Sequence, residues 1–125
     1  VYNDNLINIL LRNKFLKYFQ PDITKYGGIS LVHKYLNSKY RKKIFLHFLG
    51  SGVGLITSAH IMSAINSDGL LETDFNQNPL RDNIFNEKIK IINGKIYLKN
   101  KPGLGFTLSK KIIKNYTVKK FTYIS

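Results

Sequence analysis

The 125-residue chain has no cysteine, 20 Lys or Arg against 7 Asp or Glu, and a formal net charge of +13 at neutral pH. Its length suits one ordinary domain and is about half that of a (β/α)8 barrel; the missing thiols exclude disulfides, zinc–thiolate centres and cysteine chemistry. No apolar stretch approaches the roughly 18 residues that span a bilayer, and no charged segment followed by an apolar one argues for export, so the cytoplasm is the expected compartment.

Asn3 or Asp4 can cap a first helix, with Leu6, Ile9, Leu10 and Asn13 at helical spacing. A strand is predicted through Leu16–Gln20, ending at Pro21-Asp22, and Gly27-Gly28 marks a turn. Ile29, Val32, Tyr35 and Leu36 form the stripe of a second helix. Ile44–Phe48 reads as another strand, and Gly50-Ser51-Gly52-Val53-Gly54 as a tight turn into a helix carrying Val53, Ile56, His60 and Ala64. Asp68-Gly69 breaks that helix, and Gly69–Glu72 reads as a third short strand. Strands alternating with helices predict parallel βαβ units. The pattern then changes: Asn93-Gly94 between two alternating runs is a strong hairpin signal, predicting Ile89, Ile91, Ile96 and Leu98 on one buried face. Pro102-Gly103-Leu104-Gly105 is a second turn. The expected organisation is a partial barrel over 1–85, a hairpin and closing segment over 86–108, and a Lys-rich tail over 109–125.

The basic charge has two readings. Clustered Lys and Arg would bind nucleic acid by counterion release, yet the lysines run from Lys14 to Lys120 without gathering on one element. The densest group, Lys39 to Lys43, suits a solvated helix end. Compositional drift therefore outweighs nucleic-acid binding. The glycine turn lacks the final glycine of a dinucleotide fingerprint and the Gly-Lys-Ser/Thr of a P-loop. His33 and His60 fall inside predicted helices with no second ligand at metal spacing.

Asp22, His47 and Glu72 each stand at the end of an apolar run, about 25 residues apart, close to the repeat of a (β/α)8 barrel. In that architecture strand-end polar residues meet at one mouth. A carboxylate on one imidazole nitrogen fixes the tautomer and prepares the other for proton transfer. A carboxyl group kept protonated in an apolar setting could instead donate a hydrogen bond.

The segments Pro21-Asp22-Ile23-Thr24-Lys25-Tyr26-Gly27-Gly28-Ile29, Leu46-His47 and Leu70-Leu71-Glu72, with Asn93-Gly94-Lys95 and Lys101-Pro102-Gly103-Leu104-Gly105, resemble the C-terminal barrel of the enolase superfamily, in its mandelate racemase-like branch. The resemblance runs from Leu6 to Leu108. It implies an α/β fold, the C-terminal part of a (β/α)8 barrel with about three βα units and a closing β-hairpin. It implies that Asp22 and His47 form a His–Asp dyad on barrel strands six and seven, and that Glu72, on strand eight, hydrogen-bonds a substrate carboxylate. Asp22 stands where the muconate-cycloisomerase-like branch has Lys, which favours racemase or acid-sugar dehydratase chemistry; Lys25 is structural or supports a site residue from behind. Arg81 and Ser51 are the candidate substrate contacts, a structural salt bridge being the competing role for Arg81. Family sites pair a Lys or His base with Mg²⁺; the ligands for Mg²⁺ are expected upstream of Val1 and none in this chain.

The resemblance therefore implies the C-terminal portion of an enzyme acting on a small hydroxy acid or acid sugar, with an N-terminal half supplying the rest of the barrel, a homo-oligomer and no membrane or nucleic-acid partner. The chain alone is expected to be inactive and to fold poorly. The alternatives are a basic nucleic-acid-binding module and an inactive truncated barrel.

Overall fold

The computed structural model describes residues 4–30, 43–65 and 69–122. In chain order these hold α1 (Asp4–Arg12), β1 (Tyr18–Phe19), β2 (Lys43–Ile44), α2 (Gly52–Ala64), α3 (Pro79–Asp82), β3 (Ile91–Ile92), β4 (Lys95–Ile96) and α4 (Lys110–Tyr116). The stripe residues Val32, Tyr35 and Leu36 of the expected second helix lie outside the described residues, as do His33 and Asp68; residues 28–30 are helical.

β1 and β2 pair in parallel, Tyr18 opposite Lys43 and Phe19 opposite Ile44. The ladder continues past the regular strands, with Phe45 N donating to Phe19 O (3.1 Å) and His47 N to Pro21 O (3.2 Å). On the other side of β2, Glu72 N donates to Leu46 O at 3.0 Å, with the same stagger. The expected third strand at Gly69–Glu72 thus meets the sheet at the Glu72 N–Leu46 O bond and is not a regular strand. The segment 70–72 is too short, and ends too soon, to build a ladder.

Side chains alternate across a strand, and the alternation decides which face meets the helices. Ile44, Leu46 and Phe48 are buried, while Phe45 and His47 between them are half-buried. Ile44 and Leu46 pack with Ile23 and Ile61 of α2, joined by Met62, Ile65 and Leu71. A second cluster joins Ile7 and Leu11 of α1 to Phe19 and Tyr26. The opposite face carries Tyr18, edge-on to Phe45 at 4.9 Å, and the exposed Leu70. It is apolar yet open, as the inner face of an incomplete barrel would be.

The buried stripe of α1 falls on Ile7 and Leu11, with Leu10 beside it, whereas Leu6 and Ile9 are exposed. The sequence 6–11 is apolar on both sides, so its period does not choose a face; packing against Phe19 and Tyr26 does. The hairpin forms as expected, with Ile91 opposite Ile96 and Asn93 and Gly94 both at positive φ (49° and 72°), the conformation of a two-residue turn matched to strand twist. Its expected buried face does not form. Ile91 is exposed, and Ile89, Ile96 and Leu98 are only half-buried, because strands of two residues present too little surface to hold another layer. An antiparallel bridge between Phe85 and Leu108 instead anchors the segment, with Asn86 N on Thr107 O and Ser109 N on Ile84 O. Residues 109–125 open with α4, where Ser109 Oγ accepts from Ile112 N.

The glycine turn before α2 is a packing device. A Cβ on Gly54 would collide with the Phe48 ring, and one on Gly52 would lie 2.7 Å from the Arg81 carbonyl oxygen. Phe48 is buried, so its ring has nowhere to retreat. Ala normally favours a helix over Gly by about 1 kcal/mol; here overpacking reverses the sign. Gly54→Ala is expected to lower stability by about 1–3 kcal/mol in denaturant unfolding, and adding Phe48→Leu should recover part of the loss.

Candidate active site

The ladder that builds the sheet also aligns the polar residues at its end. With Phe19 opposite Ile44 and the stagger kept to His47 N–Pro21 O, Asp22 falls opposite His47; the Glu72 N–Leu46 O bond places Glu72 opposite His47 on the other side. The three residues that end separate apolar runs therefore share one level of a parallel sheet, at the C-terminal ends of its strands.

The side chains at that level are joined as follows. His47 Nδ1 meets Glu72 Oε2 at 2.5 Å, both side chains partly open to solvent. A carboxylate on Nδ1 fixes the ring's tautomer and orientation and leaves Nε2 as the nitrogen for proton transfer. Asp22 takes other partners: its Oδ1 accepts from Thr24 N (2.8 Å) and Thr24 Oγ1 (2.6 Å), and its Oδ2 lies 3.3 Å from Lys25 Nζ. The imidazole nitrogen of His47 is thus bonded to Glu72, while the hydrogen bonds of Asp22 stay within its own turn. Burial works to raise the Asp22 pKa, but the Thr24 hydroxyl and amide and the Lys25 ammonium outweigh it and leave the pKa below its ordinary value.

Arg81 is committed elsewhere. Its Nε and Nη2 donate to the Asp82 carboxylate at 2.7 and 3.1 Å, Nη2 also donates to Asn76 O at 2.8 Å, and Nη1 donates to Asp74 O. This guanidinium clasps the loop that follows Glu72. Ser51 occupies the N-cap position of α2, but its side chain makes no capping bond. His60 Nε2 lies 3.3 Å from Leu104 O and ties α2 to the Pro102–Gly105 turn, a packing role. Asn78 caps α3, accepting from Leu80 N and Arg81 N, and its Nδ2 reaches Gly50 O at 3.3 Å, linking the loops after β2 and after Glu72. Two of these features went unread in the sequence although their signatures are present. Asp22-Ile23-Thr24 is an aspartate turn, and Asn78-Pro79 is a helix cap followed by proline at the first helical position.

Among the described residues no group of three or more His, Asp or Glu stands close enough to hold a metal ion. A cleft of about 220 Å³ is lined by Leu55, Arg81, Asp82, Asn83, Lys88 and Ile89, without any of the three strand-end residues. It is smaller than an ordinary ligand pocket of about 300 Å³ or more. No helix among the described residues is long and apolar enough to cross a membrane.

Residues 2–112 match the family model described as enolase C-terminal domain-like. The chain is 32% identical over 112 residues to the arabinonate dehydratase of Saccharolobus solfataricus, a match that covers 88% of this chain and 30% of that protein. Among solved structures it superposes with a TM-score of 0.77 on a mandelate racemase/muconate lactonizing enzyme from Bordetella bronchiseptica RB50, at 30% identity, covering 92% of this chain and 33% of the other. It superposes equally well, TM-score 0.77 and 27% identity, on the 3,6-anhydro-D-galactonate cycloisomerase from Zobellia galactanivorans, covering 94% of this chain and 34% of that one. The chain spans about a third of the length of these relatives. It belongs to the enolase C-terminal domain-like family, and its fold is part of the barrel of that superfamily.

Because the folded-state pKa of Asp22 is depressed, its contribution to stability is complete above the ordinary value of 3.8 and fades as pH falls through the lower folded value. In acid unfolding, wild type should therefore exceed Asp22→Asn in stability at pH 5, with the gap closing below about pH 4. A gap that is constant with pH would contradict this.

Proposed function

We propose that this member of the enolase C-terminal domain-like family supplies the proton-transfer half of an active site that removes the proton next to the carboxylate of an acid sugar and then expels water. One observation carries the reading: a single parallel register brings Asp22, His47 and Glu72 to one strand-end level, with His47 Nδ1 held by Glu72. The arabinonate dehydratase relative supports the substrate class and dehydration; the cycloisomerase neighbour supports the wider class of sugar acids.

The geometry supports the following course of reaction. His47 Nε2 takes the α-proton, and the C–H electron pair moves toward the carboxylate to give an enediolate. That pair then returns, the C–O bond to the β-hydroxyl breaks, and the imidazolium gives up a proton so that the hydroxyl leaves as water. The resulting enol tautomerises to a 2-keto-3-deoxy acid, so that one water is lost per substrate and His47 ends as it began. Glu72 keeps Nδ1–H occupied through both transfers. Asp22, opposite His47 and held ionised by Thr24 and Lys25, places a negative charge beside the imidazolium as it forms. In this reading Glu72 orients the base, a role the family resemblance alone would give to Asp22. A His–Asp dyad remains the competing arrangement within the same site, reached if Asp22 leaves Thr24 when substrate binds.

In this reading residues outside these 125 supply the rest of the barrel, which the exposure of Tyr18 and Leu70 supports. The Mg²⁺ dependence of the family would reside there too.

In the intact protein, exchange of the substrate α-proton with solvent deuterium should fall by about a thousandfold or more in His47→Asn. In Glu72→Gln it should fall by roughly 10–100-fold, the loss typical of removing an orienting partner. Undiminished exchange in His47→Asn would rule this reading out. Residues 1–125 alone should show no exchange, and should regain it only together with a complementary barrel half; exchange by the isolated chain would contradict the shared-site proposal.

A further inference from the structure

Three residues beyond Glu72 the loop 73–78 presents Phe75, whose relative exposure is 100%. A large aromatic left fully in water forgoes favourable burial, and a pliable loop would fold it down. This loop is not left pliable. Asp74 Oδ1 accepts from both Asn76 N and Asn76 Nδ2 at 2.9 Å, closing a turn around Phe75. The Arg81 guanidinium holds the carbonyls on either side of it, Asp74 O and Asn76 O, and is itself fixed by the Asp82 carboxylate. Asn78 then fastens the loop to Gly50 O, in the loop after β2 that carries His47. Phe15, also exposed, follows a turn closed by its own N–H donating to Asn13 Oδ1 at 2.8 Å, but has no arginine clasp among the described residues.

We propose that Phe75 is a specificity residue at the mouth of the site, and that Arg81 is the positioning residue that presents it. This rests on the function proposed above. Its contact is the C–H face of the sugar-acid chain beyond the reacting carbons. A substrate whose carboxylate end reacts at His47 and Glu72 extends its tail from the strand ends toward the loops, and a phenyl ring offers a sugar an apolar surface with no hydrogen bond. Such a contact is made equally in ground and transition states, so it acts on KM and leaves kcat alone. Lys in place of Arg81 keeps the charge but cannot span a carboxylate and two carbonyls with one ammonium group.

The test uses the intact protein with five- and six-carbon sugar acids as substrates and a three-carbon hydroxy acid as competitive inhibitor. Phe75→Ala should raise KM for the long acids about tenfold with kcat within twofold, and leave the inhibition constant of the short acid unchanged. Phe75→Trp should restore KM, and Arg81→Lys should reproduce the rise in KM. Unchanged KM in Phe75→Ala, or an equal change for long and short acids, would overturn the assignment and leave Phe75 to a contact with protein. Wild type without turnover on any sugar acid would instead overturn the proposed function, and this assignment with it.

Discussion

The structure depends on one constraint: a parallel backbone ladder whose stagger does not change. Phe45 N bonds Phe19 O, His47 N bonds Pro21 O, and Glu72 N bonds Leu46 O, each at the same offset. Because side chains alternate with a period of two, a slip of one residue would turn Ile44, Leu46 and Phe48 away from the helices and His47 into the core. The apolar burial of Leu46 and Ile56, both at 0% exposure, therefore also holds the imidazole on the open face. Core and site are set by the same bonds.

The loops at the strand ends are tightened by close packing and by a few polar clasps. Gly52 and Gly54 let α2 lie against the Arg81 backbone and the Phe48 ring, which keeps the turn after His47 short. Asn78 bridges that turn to the next loop, Arg81 clasps the next loop to itself, and His60 holds the Pro102–Gly105 turn against α2. The closing segment, with Phe85 against Phe106 at 4.9 Å and Glu87 bonded to Lys99 at 3.2 Å, is a satellite of this arrangement. Fixed loops around the His47–Glu72 pair would suit the proposed function, whose substrate must be oriented without collapse of the mouth.

Much of this was legible in the chain. The even spacing of Asp22, His47 and Glu72 reflects the repeat of the ladder, so that the three share one strand-end level could be read before any coordinate. The Asn93-Gly94 hairpin and the turns at Gly27-Gly28 and Gly103–Gly105 were equally plain, since positive φ leaves few residue choices. What could not be read is which partner each polar group takes. Asp22 had both His47 across the sheet and Thr24 in its own turn within reach of its position, and local hydrogen bonds form without ordering a second strand. The face of α1 was hidden by apolar residues on both sides, and the hairpin's exposure by strands too short to carry another layer. Arg81 read as a candidate for a substrate acid group because, besides the Asp82 carboxylate, its acceptors are the backbone carbonyls of Asp74 and Asn76, which no sequence displays.

A crystal structure of the intact protein with a bound hydroxy acid tests the account most directly. The account predicts His47 Nδ1 on Glu72, Nε2 toward the substrate α-carbon, and Asp22 opposite His47 in an unslipped ladder. A ladder shifted by one residue, or a His47 ring facing away from the substrate carboxylate, would contradict it.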